Sequence, residues 1–256
     1  MLVIDKAQKT FLQGMPNQRV ALDSLSLTLA QGEFATMIGS NGAGKSTLFN
    51  AITGAFLLDS GRITVNGVDI TWRPPHKRAF QIGYLFQDPM KGTAPHMTIV
   101  ENLSLAYSRG RRSPLRPGVT KKDAAFFRTQ LARFGMGLED RLDAKVGLLS
   151  GGQRQALSLL MSTVAGPGLL LLDEHTAALD PVAAEKIMVL TKEIVQEQNL
   201  AAIMITHNIR QALAVGSRTI MLEDGRIALD ISGEARKDMT PAALMQHYTP
   251  GTASKV

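Results

Sequence analysis

Leu25, Leu27 and Leu29 alternate with Ser24, Ser26 and Thr28, and this period of two predicts a half-buried strand over residues 20–30. Residues 1–7 alternate in the same way, so the chain is expected to open with two strands joined across a turn-rich stretch at 13–17. Residues 33–38 form a short β-prone apolar run, and 46–52 continue as a helix. A strand at 61–67 ends in the turn pair Asn66-Gly67, with 68–70 as its hairpin partner. Pro74 and Pro75 open a short helix ending near Phe80, and a strand at 81–86 is stopped by Pro89. From Thr98 to about Ala165 the period becomes helical. Ile99, Leu103 and Ala106 share one face, and Phe126, Phe127, Leu131 and Phe134 share another. Residues 168–172 read as a buried parallel strand. Asp180 then caps a helix that has Pro181 at its first position and runs to about Gln198. An apolar strand at 199–205, a hairpin of 217–223 with 226–231 through Asp224-Gly225, and a helix at 241–247 complete the pattern.

A chain of 256 residues with 45% apolar content can bury a sizeable interior as one large domain or as a core with a sub-lobe. No stretch approaches the ~18 apolar residues a membrane-spanning helix needs. The start alternates like a strand and lacks the apolar core of a signal peptide. Disulfides are excluded by the lack of cysteine, and the cytosol is the expected compartment. A net charge of +6 is compatible with nucleic acid, with an anionic membrane surface, or with no specific partner. Its local excess, from Arg109, Arg111 and Arg112 through Arg116 to Lys121 and Lys122, has none of the interleaved aromatics that stack on bases. A solvated loop is the plainer reading of that segment, and no nucleic-acid partner is expected.

The chemistry is concentrated in Gly39-Ser40-Asn41-Gly42-Ala43-Gly44-Lys45-Ser46-Thr47, which completes the phosphate-cradling pattern G-x-x-x-x-G-K-[ST] between an expected strand and helix. Glycines at 39, 42 and 44 leave room for phosphate oxygens and tolerate the angles that turn successive N–H groups inward. Lys45 is placed to reach the β- and γ-phosphates of a nucleoside triphosphate, and the Ser46 hydroxyl to ligate Mg²⁺. Ser150-Gly151-Gly152-Gln153 opens another helix with bare N–H groups, a second anion site. Asp173 and Glu174 end the apolar strand at 168–172, and ligands of open α/β sheets gather at such carboxyl ends. Asp173 is therefore expected to face Mg²⁺, and Glu174 the attacking water. His207 ends the strand at 199–205 on the same expected edge, where it favours a γ-phosphate contact. Two residues stay open at this level. Gln87 suits either a metal or water contact or a turn-capping amide, and Phe11 suits either purine stacking or core packing.

Residues 39–47, Gln87, Leu149-Ser150-Gly151-Gly152-Gln153, residues 169–174, Ala178-Leu179-Asp180 and His207, in that order, resemble the nucleotide-binding subunits of ATP-binding cassette (ABC) transporters, across nearly the whole chain. The likeness implies an α/β fold: a P-loop NTPase core with a mostly parallel sheet flanked by helices, an antiparallel β subdomain and an α-helical subdomain. It implies one ATPase domain over 1–256, with 1–97 and 166–256 as β lobe and core and 98–165 as the helical part. It also implies ATP and Mg²⁺ as cofactors, with Ser46, Gln87 and Asp173 on the metal and Phe11 beneath the adenine. Glu174 would be the general base or water polariser, His207 the γ-phosphate clamp and Asp180 a cross-dimer contact. Two copies would face head to tail, the Ser150–Gln153 segment of each completing the phosphate site of the other.

Family members often carry Pro where this chain has His175, which predicts a changed loop contact, and Tyr where it has Phe11. Residues 86–95 and 171–181 look more narrowly like subunits of tryptophan- or tyrosine-type uptake systems. The expectation is an importer ATPase at the cytoplasmic face of the inner membrane, acting with separate permease subunits and an extracytoplasmic solute-binding protein. An exporter ATPase, or a non-transport cassette acting on nucleic acid or ribosomes, is the alternative.

Overall fold

The alternation near the start becomes an antiparallel pair in the computed structural model, which describes residues 1–109 and 119–247. β1 (Leu2–Phe11) and β2 (Arg19–Leu29) pair with Leu2 opposite Leu29 and Phe11 opposite Arg19. Leu25, Leu27 and Leu29 are buried and Ser24, Ser26 and Thr28 exposed, as the period requires. β1 outruns its expected end at Ala7 because the register shifts after Ile4, after Ala7 and after Lys9, with Lys6 and Ser24 at φ 45° and 49°. A bulge inserts an unpaired residue and reverses the phase of the alternation, so pairing continues where the sequence pattern is lost.

Two compact units make up the chain, one of Met1–Arg78 with the residues from Asn199 onward and one of Ala79–Gln198. In the first, β3 (Phe34–Gly39) is buried at every position and leads through the glycine-rich loop into α1 (Lys45–Thr53). β4 (Ser60–Val65) and β5 (Val68–Asp69) form the expected hairpin, with Asn66 and Gly67 at φ 49° and 76°. They complete an antiparallel sheet of order β2-β1-β4-β5. α2 (Pro75–Arg78) is a single turn that delivers Arg78, almost fully buried, to the end of α1. Its guanidinium donates to the carbonyls of Ala51 and Ile52, which the helix leaves without intrahelical partners.

The second unit opens with β6 (Ile82–Leu85), which continues into α3 (Ile99–Tyr107), α4 (Lys121–Ala132) and α5 (Gly151–Thr163). Each helix starts at a reciprocal capping box: Thr98 with Glu101, Thr120 with Asp123, Ser150 with Gln153. Ile99, Leu103 and Ala106 are buried together in α3, as are Phe127, Leu131 and Phe134 in and after α4. Phe126, expected with them, is 36% exposed, its ring centroid 5.3 Å from that of Tyr107. The buried stripe follows the i, i+4, i+7 rows from Phe127, and the adjacent position is rotated to the stripe's edge. β7 (Leu169–Asp173) pairs parallel to β6, and α6 (Pro181–Glu197) follows.

The chain then returns to the first unit through β8 (Ala201–Ile205), α7 (Ile209–Ala214), β9 (Arg218–Glu223), β10 (Arg226–Ser232), α8 (Gly233–Lys237) and α9 (Pro241–Gln246). β3 lies between β8 and β9 and runs parallel to both. β9 and β10 form the predicted hairpin, with Asp224 and Gly225 at φ 45° and 77°. α7 and α8 were not expected. At six and five residues they are too short to display a helical period, although the Asn208 side chain accepts the Gln211 N–H as an N-cap. Mostly parallel strands with flanking helices and a separate antiparallel sheet make this the expected α/β architecture. Most of the basic segment, residues 110–118, and the tail from 248 lie outside the described residues.

Candidate nucleotide site

In the first unit the phosphate loop is built as the glycines predict. Gly39, Gly42 and Gly44 adopt φ 151°, 88° and 106°. A Cβ on Gly44 would stand 2.5 Å from the Ala21 carbonyl oxygen, and one on Gly39 would collide with that of Leu222. Gly44 is the N-cap of α1 and, having no side chain, supplies no acceptor to the first N–H groups of the helix. Lys45 is buried, and its ammonium donates to the carbonyls of Gly39 at 2.6 Å and Ser40 at 2.9 Å. The Arg19 guanidinium donates to the Gly42 carbonyl from β2. Asn41 and Ser46 are exposed, Ser40 and Thr47 half-buried and Ala43 buried.

Met37 in β3 stands opposite Ile205 in β8, so Gly39 and His207 each lie two residues past a matched pair at the carboxyl ends of parallel strands. His207 is exposed there. Phe11 is not core. It is 37% exposed, meets Phe56 edge-to-face at 5.3 Å, and has the Lys9 ammonium 5.6 Å from its centroid.

In the second unit, Asp173 accepts a hydrogen bond from the Tyr84 hydroxyl at 3.0 Å, and Gln87 Nε2 donates to Glu174 at 3.3 Å. Gln87 thus commits its amide nitrogen to the neighbouring acid, and its carbonyl oxygen remains an acceptor. Glu174 holds φ 45°, a conformation uncommon outside glycine. His175 turns inward and is 2% exposed. Burial lowers its imidazole pKa to about 4, so it is neutral near pH 7. Thr191 donates to the Ile187 carbonyl at 2.7 Å, so its oxygen accepts from His175 Nε2 at 3.3 Å, while Nδ1 has no hydrogen-bond partner among the described residues. His175 is therefore an anchor from the Glu174 turn onto α6.

Ser150 caps α5 by accepting the Gln153 N–H at 3.2 Å, which leaves its own proton to donate. Gln153 donates to the Met136 carbonyl at 3.0 Å. Ser150, Gly151, Gly152 and Gln153 line an open cavity of about 460 Å³ together with Asp180, which caps α6 through the Ala183 N–H at 3.0 Å. The residues singled out from sequence thus form two groups. Phe11, residues 39–47 and His207 belong to the first unit; Gln87, Asp173, Glu174, Ser150–Gln153 and Asp180 belong to the second. Tyr84, Arg19 and Phe56 were not anticipated. Their parts depend on contacts between residues far apart in sequence, which no local motif records.

Oxygen donors dominate the candidate metal ligands, and among the described residues no group of three or more His, Cys, Asp or Glu could hold an ion by itself. Oxygen donors suit Mg²⁺, a hard ion that is carried on phosphates and keeps much of its water.

A phosphate loop, an Asp-Glu strand end and a glycine-led helix start on one α/β chain define a nucleotide-hydrolysing cassette. The chain belongs to the ABC transporter family, whose profile matches residues 22–177, and is an ATPase of that family. It is 41% identical over 248 residues to the tyrosine transport ATP-binding protein of Clostridioides difficile (strain R20291), covering 97% of this chain and 98% of the relative. It is 34% identical over 203 residues to the thiamine import ATP-binding protein ThiQ of Escherichia coli (strain K12), covering 79% and 82%. Among solved structures, the post-hydrolysis dimer of the ATP-binding cassette MJ0796 bound to ADP and Pi superimposes with a TM-score of 0.78 at 27% identity, covering 91% of this chain and 98% of that one. The ADP conformation of the cassette MJ1267 gives 0.76 at 27% identity, covering 93% of each.

Proposed function

We propose that this ATPase drives solute import through separate membrane permease subunits, working as a homodimer in which each copy completes the phosphate site of the other. The cavity at Ser150–Gln153 carries this reading. It offers glycine N–H groups, a hydroxyl proton and a helix N-terminus to an anion, and among the described residues that line it there is no cation, which supports an anion already held by another copy's Lys45.

In this reading Gly39–Thr47 cradle the triphosphate, Lys45 turns from its loop carbonyls to the β- and γ-phosphates, and Phe11 supports the adenine. Ser46, Asp173 and Gln87 hold Mg²⁺, which when bound neutralises charge developing on the phosphates. Glu174 orients and deprotonates the attacking water, His207 contacts the γ-phosphate, and Asp180 meets the facing copy. In-line attack needs little covalent help, so positioning and charge carry most of the rate. Residues 98–165 form the helical subdomain of a single ATPase domain. An aromatic amino acid is the proposed cargo, supported by the likeness to a tyrosine transport protein over nearly the full chain. An extracytoplasmic binding protein would deliver it, and the ATPase would sit peripherally at the cytoplasmic face of the membrane. Among the described residues no helix is long and apolar enough to cross a membrane.

Glu174→Gln keeps the shape of the side chain and removes its basicity. Turnover is expected to fall by at least ~100-fold, the usual worth of a general base. In sedimentation velocity with Mg²⁺ and ATP, the variant should accumulate as a dimer. A variant that hydrolyses ATP at the wild-type rate, or stays monomeric with ATP bound, contradicts the assignment.

A further inference from the structure

Tyr84 sits on β6 in register with Leu171 of β7, and Asp173 lies two residues beyond Leu171 on the same face of that strand. The diagonal between neighbouring strands is within reach of an aromatic side chain. The phenol uses it, donating to Oδ2 of Asp173 at 3.0 Å. The Tyr84 ring is half-buried and packs against Phe86 with centroids 4.3 Å apart, so the hydroxyl is delivered by a side chain with little freedom to leave.

We propose that Tyr84 is a positioning residue for the divalent cation, its O–H fixing one oxygen of Asp173 so that the other is presented to Mg²⁺. This rests on the reading of Asp173 as the acid that faces the metal. A carboxylate at the end of a strand can rotate and offer one oxygen or both. Mg²⁺ demands near-ideal octahedral geometry at short distances, which a single fixed oxygen satisfies and a rotating one does not. Hydrogen bonds to metal-ligating carboxylates commonly set metal affinity by 10–100-fold. Gln87 donates to Glu174, so of these two strand-end acids each has its own side-chain donor from the end of β6.

The experiment measures the affinity of a fluorescent ATP analogue with Mg²⁺ and with EDTA, the ratio being the contribution of the cation to binding. Tyr84→Phe removes only the hydroxyl. It is expected to reduce that ratio about tenfold, with the affinity in EDTA and the melting temperature of the nucleotide-free protein unchanged. Asp173→Asn is measured beside it and is expected to abolish the ratio. If Asp173→Asn abolishes it and Tyr84→Phe leaves it at the wild-type value, the positioning role is overturned while the reading of Asp173 stands. If Asp173→Asn also keeps the wild-type ratio, the reading of Asp173 fails and the inference falls with it. A Tyr84→Phe protein that melts earlier or binds more weakly in EDTA, with an unchanged ratio, assigns the phenol to structure and overturns the proposal.

Discussion

His175 is a titratable group held neutral in the interior next to the residue proposed to activate water. Its folded pKa, about 4, lies below the ordinary value of 6.5, so between these values the unfolded chain binds more protons. Stability contributed by this group is therefore complete above pH 6.5 and declines as pH falls toward 4. The full effect is on the order of 3 kcal/mol. Urea unfolding across that window is expected to show a loss in the wild type that His175→Asn lacks, and identical pH slopes would remove the effect from His175. Positions that follow from type and spacing were legible in the sequence: the glycine-rich loop leads from a buried strand into a helix beginning at Lys45, and Asp173 and Glu174 end a buried strand. His175 was legible only as a departure from Pro, because its burial depends on α6, and the inward turn of the chain at Glu174 is a backbone state that a Glu does not advertise.

The residues proposed to carry the chemistry lie at the carboxyl ends of parallel strands in each unit, and those proposed to bind anions lie at the starts of helices. Ser150 does two things at the start of α5: its oxygen caps the Gln153 N–H, and its own proton is left to donate. Ser150→Asp separates the two, since Asp caps as well as Ser. Thermal unfolding should stay within about 0.5 kcal/mol of wild type, as for a substitution that retains its cap, while ATP-driven dimerisation is lost to repulsion between carboxylate and phosphate. A variant that dimerises normally with ATP would show that no phosphate approaches this helix. Elements with a long period or strong caps were legible: the strands at 33–38 and 168–172, and the helix led by Asp180-Pro181. Those that escaped were short, such as α7 and α8, or phase-shifted, such as the outer half of β1.

At the scale of the whole molecule the account requires two copies, because the helix N-terminus at Ser150–Gln153 and the phosphate loop at residues 39–47 are assigned to opposite sides of one nucleotide. The helix starts at each place were legible from motifs, whereas pairing between copies is an association that no single chain encodes by pattern alone. Fold similarity to a cassette solved as a dimer with ADP and Pi supports this arrangement. The most direct measurement is ATP turnover per chain as a function of protein concentration, with Mg²⁺ and ATP saturating and the dimer fraction followed in parallel by sedimentation. Turnover per chain should rise with concentration, tracking the dimer fraction, and level off when dimerisation is complete. A strictly monomeric sample that hydrolyses ATP at a rate per chain independent of concentration would contradict the shared site.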